Sequence, residues 1–286
     1  MKSKEDITLR YLEKPGELEA VEELQRLIWT GSETEIVPVS MLLAAIHGGG
    51  LAIGAFAEGE LVSPVLVGVV FGFPGFYTTP DGPRLKHCSH ILGIHPDYRD
   101  QGIGFRLKRA QWQMVRNQGI DRITWTYDPL LSRNAYLNIS KLGAVCNTYL
   151  PNFYGEMRDG LNTGLASDRF EVDWWVYSRR VERRLSQRAR RRLRLDDFLK
   201  AEAQIISAFS PLPSDFPSPL LLVEIPTDFQ ALRGTQPTLA QAWRQHASTI
   251  FEGLFTRGYL VTDFIFEQAG ETPSSFYVLS HGEATL

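Results

Sequence analysis

The stretch that decides the fold reads His90-Ile91-Leu92-Gly93-Ile94-His95-Pro96-Asp97-Tyr98-Arg99-Asp100-Gln101-Gly102-Ile103-Gly104. Cys88, His90, Leu92 and Ile94 alternate along it, which is the period of a half-buried strand. Residues 102–117 then follow a helical pattern that Gln118-Gly119 closes. A strand that turns into a helix through glycines presents backbone N–H groups at the positive end of the helix dipole. An anion such as a pyrophosphate binds there without side-chain chemistry. Glycine is needed where a Cβ would block the anion or where φ must be positive. Taken alone, the Gly-x-Gly describes a tight turn equally well.

Outward from this turn the pattern extends in both directions. Residues 7–12 alternate as a strand, while Leu18, Val21, Leu24, Leu27 and Ile28 recur at helical spacing within residues 16–30. A second helix fits residues 39–46, ended by Gly48-Gly49-Gly50, and residues 51–56 and 64–73 are apolar strands joined by a turn at Glu58-Gly59-Glu60. The decisive strand spans 86–95. After its helix come a strand at 122–127, a helix at 132–142, and strands at 144–150 and 170–177. That order predicts an α/β (α+β) fold with a mixed central sheet flanked by helices.

Beyond it, nine arginines lie between Arg179 and Arg194. They read either as a phosphate- or nucleic-acid-binding stripe or as a solvated helix between domains, and charge runs favour the solvated face. From Phe198 onward, a strand at 220–225, a helix at 238–256 and a hairpin at 259–266 and 275–279 predict a smaller C-terminal α/β extension, or strands that complete the first sheet. The expected division is therefore residues 1–180, a linker at 181–197 and an extension at 198–286.

Composition excludes several classes. With 43% hydrophobic and 22% charged residues and a net charge of −3, the chain reads as an ordinary soluble protein with no general affinity for nucleic acid. No apolar run predicts a membrane span or a leader. Two cysteines, Cys88 and Cys146, fit a reducing cytoplasm and form neither a disulfide framework nor a metal site. The dinucleotide fingerprint and the phosphate-loop Lys-Ser/Thr are both absent.

The run Ile94-x-Pro96-x-x-Arg99-x-x-Gly102-Ile103-Gly104 resembles the GNAT acyltransferase superfamily, whose Arg/Gln-x-x-Gly-x-Gly/Ala pattern matches Arg99, Gly102 and Gly104. The element order of residues 7–177 agrees with it. More narrowly, the chain is similar to a group of predicted GNAT acyltransferases of this length. That similarity rests on Asp128-Pro129-Leu130, Ser132-Arg133-Asn134-Ala135, Leu150-Pro151-Asn152-Phe153-Tyr154-Gly155 and Asp228-Phe229-Gln230-Ala231-Leu232. The resemblance implies acyl-CoA-dependent N-acylation of a small amine or amino acid by direct attack in a ternary complex, with no metal. Acetyl-CoA is the simplest donor, and a succinyl or other acyl-CoA is open. It implies a diphosphate on Arg99, Gln101, Gly102, Ile103 and Gly104, a pantetheine arm along Leu92 and Ile94 with an oxyanion donor near Leu92, and a further contact from Asn134.

For the chemistry, the resemblance offers His90 as proton acceptor, and an imidazole is the right type of base near neutrality. A core or edge histidine satisfied by backbone is the competing reading. Asp128 orients or deprotonates the amine, or caps the turn with Pro129. Arg133 and Tyr154 are candidate substrate contacts, and the loop 154–169 is long enough for a lid. Cys88 takes a position where some relatives carry a glutamate base, and reads as a small core residue. Where many relatives carry a tyrosine acid, this chain has Ile139, leaving Tyr136 as substitute. The missing tyrosine keeps a second reading open, a catalytically decayed acyl-CoA-binding or protein-interaction module. A homodimer is compatible with either.

Overall fold

The computed structural model describes residues 6–30, 33–58, 64–155, 164–186, 191–212, 218–268 and 273–281. The turn at Gly59-Glu60, residues 156–163 of the expected lid, and Arg188 and Arg190 of the arginine run lie outside the described residues. The chain divides into two compact units, the first ending at Trp125 and the second beginning at Thr126. The division therefore falls within a strand, whereas the sequence pattern set it near residue 180.

The first unit holds β1 (Asp6–Tyr11), α1 (Pro15–Ile28), α2 (Val39–His47), β2 (Leu51–Glu58), β3 (Val65–Thr79), β4 (Gly82–Ile94), α3 (Ile103–Asn117) and most of β5 (Arg122–Tyr127). The strands lie in the order β1-β2-β3-β4-β5, antiparallel except for the parallel β4–β5 pair. This is the mixed sheet with flanking helices that the sequence predicts. Leu18, Val21, Leu24 and Ile28 of α1 are buried in one core with Leu42 of α2 and with Phe56, Val69, Phe71 and Ile91 of the sheet. Gly68 lets α3 approach β3. A Cβ there would meet Ile94 Cδ1 at 2.9 Å and side-chain atoms of Leu107 and Ile103 at 3.2 and 3.3 Å.

The β3–β4 hairpin is longer than expected, with pairing that continues from Gly68–Ile94 out to Thr79–Gly82. Pro74, Gly75 and Pro83 interrupt the alternation and conceal the outer part. They are tolerated because the β2–β3 pairing stops at Leu51–Gly72 and, among the described residues, β4 meets β5 only at His87 and Cys88, so each proline lies where the neighbouring strand has ended and no ladder there needs its N–H.

The second unit continues from β5 into α4 (Ser132–Ala135), a π-helical turn (Tyr136–Lys141), β6 (Val145–Leu150), β7 (Arg169–Trp175), α5 (Arg179–Leu185), α6 (Leu195–Lys200), β8 (Gln204–Ile206), β9 (Leu220–Ile225), α7 (Phe229–Thr235), α8 (Pro237–Thr256), β10 (Tyr259–Glu267) and β11 (Ser274–His281). Its strands run β7-β6-β10-β11-β9-β8. The C-terminal strands join β6 through β10, at Val261 and Cys146, so residues 198–286 extend this sheet. The core centres on Phe170, Phe251 and Tyr277, with ring centroids 4.8 to 5.4 Å apart.

The expected α-helix at 132–142 is α-helical only at its start. Backbone bonds from Leu142 N to Leu137 O (2.9 Å) and Ala144 N to Asn138 O (3.1 Å) widen the rest. A widened turn leaves carbonyls that need partners, and two arginines supply them. Arg184 Nη1 donates to Ser140 O at 2.5 Å and Arg180 Nε to Gly143 O at 3.0 Å. The same side chains reach β10, where Arg184 pairs with Asp263 at 2.7 Å and Arg180 donates to Thr262 O. Arg192 donates to Phe266 O at 2.6 Å, and Arg191 pairs with Asp197 at 2.5 Å. Within the arginine-rich segment, Arg180 and Arg184 are thus docked, while Arg179, Arg183, Arg191, Arg192 and Arg194 are exposed, as a solvated face requires.

Candidate active site

In the first unit, β4 leads straight to the glycine turn. His95 closes β4, and its Nδ1 accepts from Asp97 N at 3.3 Å as the chain enters a short turn at Pro96–Tyr98. Asp100 and Gly102 then adopt φ of 64° and 77°, a left-handed region that favours glycine. A Cβ on Gly102 would meet nothing within 4 Å, so backbone conformation, and not crowding within the chain, calls for glycine here. Ile103 is buried and anchors the start of α3, whose first turn carries no acidic residue. Arg99, Gln101 and Gly102 are exposed around it. The first N–H groups of a helix lie outside its own hydrogen-bond ladder, so this turn is equipped to receive an anion.

His90 sits at a bulge. Phe71 pairs with Ile91 and Gly72 with Ser89, which makes His90 the extra residue on β4 and re-aims its side chain. The ring is exposed on one side and lies 6.5 Å from Phe71 and 5.9 Å from Phe73, centroid to centroid. Desolvation against these neighbours lowers its pKa below the ordinary imidazole value, so the ring is neutral and able to accept a proton at neutral pH. Leu92 and Ile94 follow, half-buried, paired with Val70 and Gly68. Among the described residues, β4 and β5 pair only at His87–Ile123 and Cys88–Thr124, so the later part of β4 runs on beyond the ladder. Cys88 is half-buried on this strand, and a Cβ on Gly75 would lie 2.7 Å from its Sγ.

Sequence reasoning missed a buried polar group at the end of that ladder. Lys108 of α3 is 1% exposed. Its Nζ donates to Ser89 Oγ at 2.9 Å and Gln111 Oε1 at 3.0 Å, and lies 3.5 Å from the centroid of the Trp125 ring. Ser89 Oγ also donates to Gln111 Oε1 at 2.9 Å, and Gln111 Nε2 meets His87 Nε2 at 3.1 Å. Burial drives the Lys108 amine well below the usual lysine range. Burial, and secondarily the Lys108 charge, push His87 down to about 3. The signal was legible: Lys108 and Gln111 interrupt the apolar stripe formed by Ile103, Leu107 and Val115.

The second unit holds the other candidates. Both Asp128 oxygens accept from Arg244 of α8, at 2.8 and 2.5 Å, and Oδ1 also accepts from Leu130 N at 2.9 Å. Arg169 stands 4.0 Å away. Burial alone would lower the Arg244 guanidinium, but the Asp128 charge and hydrogen bonds outweigh it and raise it. The Asp128 carboxylate, expected to meet an incoming amine, is therefore already matched by a buried cation. It also caps the turn through Leu130, the alternative open from the sequence.

Tyr154 is half-exposed, its hydroxyl 2.9 Å from Thr126 Oγ1 and its ring 5.2 Å from the Arg169 guanidinium carbon. Arg169 thus links the surroundings of Asp128 and Tyr154. Deeper, Tyr149 donates to Asp168 at 2.6 Å, and burial followed by that carboxylate raises its pKa. Arg133 is exposed and Asn134 half-buried in α4. Tyr136 opens the π-helical turn, its ring flanked by the Arg192 guanidinium at 4.9 Å and Lys141 Nζ at 5.6 Å. Ile139 is wholly buried within the π-helical turn. Among the described residues no group of His, Cys, Asp or Glu is arranged to hold a metal, and no helix is long and apolar enough to cross a membrane.

No protein-family model matches the chain, and no curated protein matches it. Solved structures of acetyltransferases are similar to part of it. An Arabidopsis thaliana NAA60 in complex with acetyl-CoA shares 17% identity over 60% of this chain and 100% of its own, with a TM-score of 0.49. Ard1 from Thermoplasma volcanium shares 18% identity over 60% of this chain and 99% of its own, with a TM-score of 0.43. The ribosomal-protein-S18-alanine N-acetyltransferase from Escherichia coli shares 14% identity over 60% of this chain and 96% of its own, also at 0.43.

Proposed function

We propose that this chain is a GNAT-type, acyl-CoA-dependent N-acyltransferase acting on a small amine or amino acid, with acetyl-CoA as the simplest donor. One observation carries the reading: a bulged strand, β4, runs past the end of its ladder with β5 and directly into a left-handed turn at the head of α3. In this reading the donor diphosphate lies on the N–H groups of residues 99–104, held by the helix dipole and flanked by Arg99 and Gln101. Leu92 and Ile94 offer backbone to the pantetheine arm, and an N–H near Leu92 meets the developing oxyanion. Asn134 is a further donor contact, and Arg133 and Tyr154 meet the acceptor.

His90 takes the proton from the amine. As the nitrogen of the neutral amine attacks the thioester carbon it gives that proton to His90, leaving a C–N bond and a tetrahedral oxyanion; collapse of the oxyanion breaks the C–S bond, and the departing thiolate takes up one proton. Tyr136 is the remaining candidate for that last proton. Thiol release from acetyl-CoA and succinyl-CoA, with amino acids, polyamines and peptide N-termini as acceptors, tests the reading. Amine-stimulated release supports it, with an acid limb set below the ordinary imidazole range by His90 and removed in His90→Ala. CoA binding with no stimulated release by any acceptor favours the second reading, a binding module without chemistry. Engagement of Asp128 by Arg244 and burial of Ile139 are the observations on that side.

A further inference from the structure

Lys108 lies at the point where β4 and β5 stop pairing. The last pair is Cys88–Thr124, and the next residue on each strand is Ser89 and Trp125. The Lys108 amine touches both, 2.9 Å from Ser89 Oγ and 3.5 Å from the Trp125 ring centroid. Its stem and head are wholly buried, and Gln111 holds the amine from behind at 3.0 Å. The closed end of the strand pair is thus filled by one long side chain fixed at its tip.

We propose that Lys108, seated between Ser89 and Trp125, forms the floor that limits the length of acyl chain the protein accepts. The proposal rests on the donor reading above. An extended donor that starts at the Arg99–Gly104 turn and lies back along β4 has its far end directed at the Cys88–Thr124 closure. Whatever the acyl group adds beyond the thioester must then enter the space that Lys108 fills. A lysine suits this task when its amine is held by neutral partners, and burial keeps that amine well below its usual pKa. A floor made of one side chain can be lowered by one substitution.

The test is calorimetric titration of the full chain with CoA, acetyl-CoA, butanoyl-CoA and hexanoyl-CoA. Wild type is expected to weaken steeply from acetyl to hexanoyl. Lys108→Ala should flatten or reverse that order, gaining about fourfold per methylene accommodated, while CoA itself binds as in wild type. Lys108→Met, which keeps the volume and removes the hydrogen bonds, should keep the same length limit whatever its overall affinity. A purely structural role would move all four ligands together. Should Lys108→Ala fail to fold, Trp125→Leu and the wild-type series carry the test. Equal affinity of wild type for acetyl- and hexanoyl-CoA, or a uniform shift in the variants, overturns the inference and leaves the donor reading standing. Failure of CoA itself to bind wild type overturns both.

Discussion

The Asp128–Arg244 pair allows a quantitative test of whether Asp128 serves the fold or the chemistry. Both side chains are buried, and the guanidinium grips both carboxylate oxygens, at 2.8 and 2.5 Å. Removing one partner of a buried pair costs about 3–5 kcal/mol, because the other charge is left uncompensated. The two ends are not equivalent here. Asp128→Leu strands the Arg244 guanidinium, removes the counter-charge 4.0 Å from Arg169, and frees Leu130 N, so it should fall near the upper end of that range. Arg244→Met leaves Asp128 with the Leu130 amide and Arg169, and it removes an Nε that is buried without a partner among the described residues. Its cost should lie near the lower end. The double variant replaces a pair by apolar groups and should return most of the loss, with a coupling energy of at least about 3 kcal/mol. Urea midpoints at constant slope measure all four proteins, and amine-stimulated turnover is followed alongside. If Asp128→Leu keeps wild-type stability but abolishes turnover, or if the two single losses simply add, the structural assignment is refuted and Asp128 returns to the chemistry.

Two other outcomes follow from the first unit. His87 is held to about 3, against an ordinary imidazole value of 6.5, chiefly by burial. Between those values the unfolded chain binds a proton that the folded chain refuses, so stability is intact above 6.5 and falls as pH drops toward 3, by about 1.4 kcal/mol per pH unit. His87→Gln should flatten that slope in acid titrations followed by circular dichroism, and an unchanged slope would remove His87 as its source. Gly102 has φ of 77° with open space around it. Gly102→Ala should therefore cost about 1–2 kcal/mol of stability, read as a lower melting temperature, and a neutral result would contradict the left-handed assignment.

The decisive strand, turn and helix were legible because alternation, a glycine turn and a helical stripe occur in sequence within residues 88–117. The outer β3–β4 hairpin was not, since Pro74 and Pro83 break the pattern and are tolerated only because the neighbouring strands end early. The three-residue β8 has no periodicity of its own and exists through pairing with β9. The π-helical turn looks α-helical in sequence, and it is Arg180 and Arg184, some 40 positions later, that satisfy its carbonyls (Arg184 lies 44 residues beyond Ser140). Asp128 and Arg244 stand 116 positions apart, and no local signal joins them. For the candidate site, His90 was readable as a strand histidine, but its place at a bulge depends on the register against Phe71 and Gly72. Lys108 was visible as a charge on an apolar stripe, though its meaning came only from contact with Ser89 and Trp125.

In the proposed function, CoA binds at the Arg99–Gly104 turn and along the end of β4. Amide hydrogen exchange of the full chain, with and without saturating CoA, tests it most directly. Slowed exchange is expected in peptides covering residues 91–94 and 99–105, and its loss when Gly102 is replaced by valine. Unchanged exchange in those peptides while CoA is bound, or protection confined to the second unit, would contradict it.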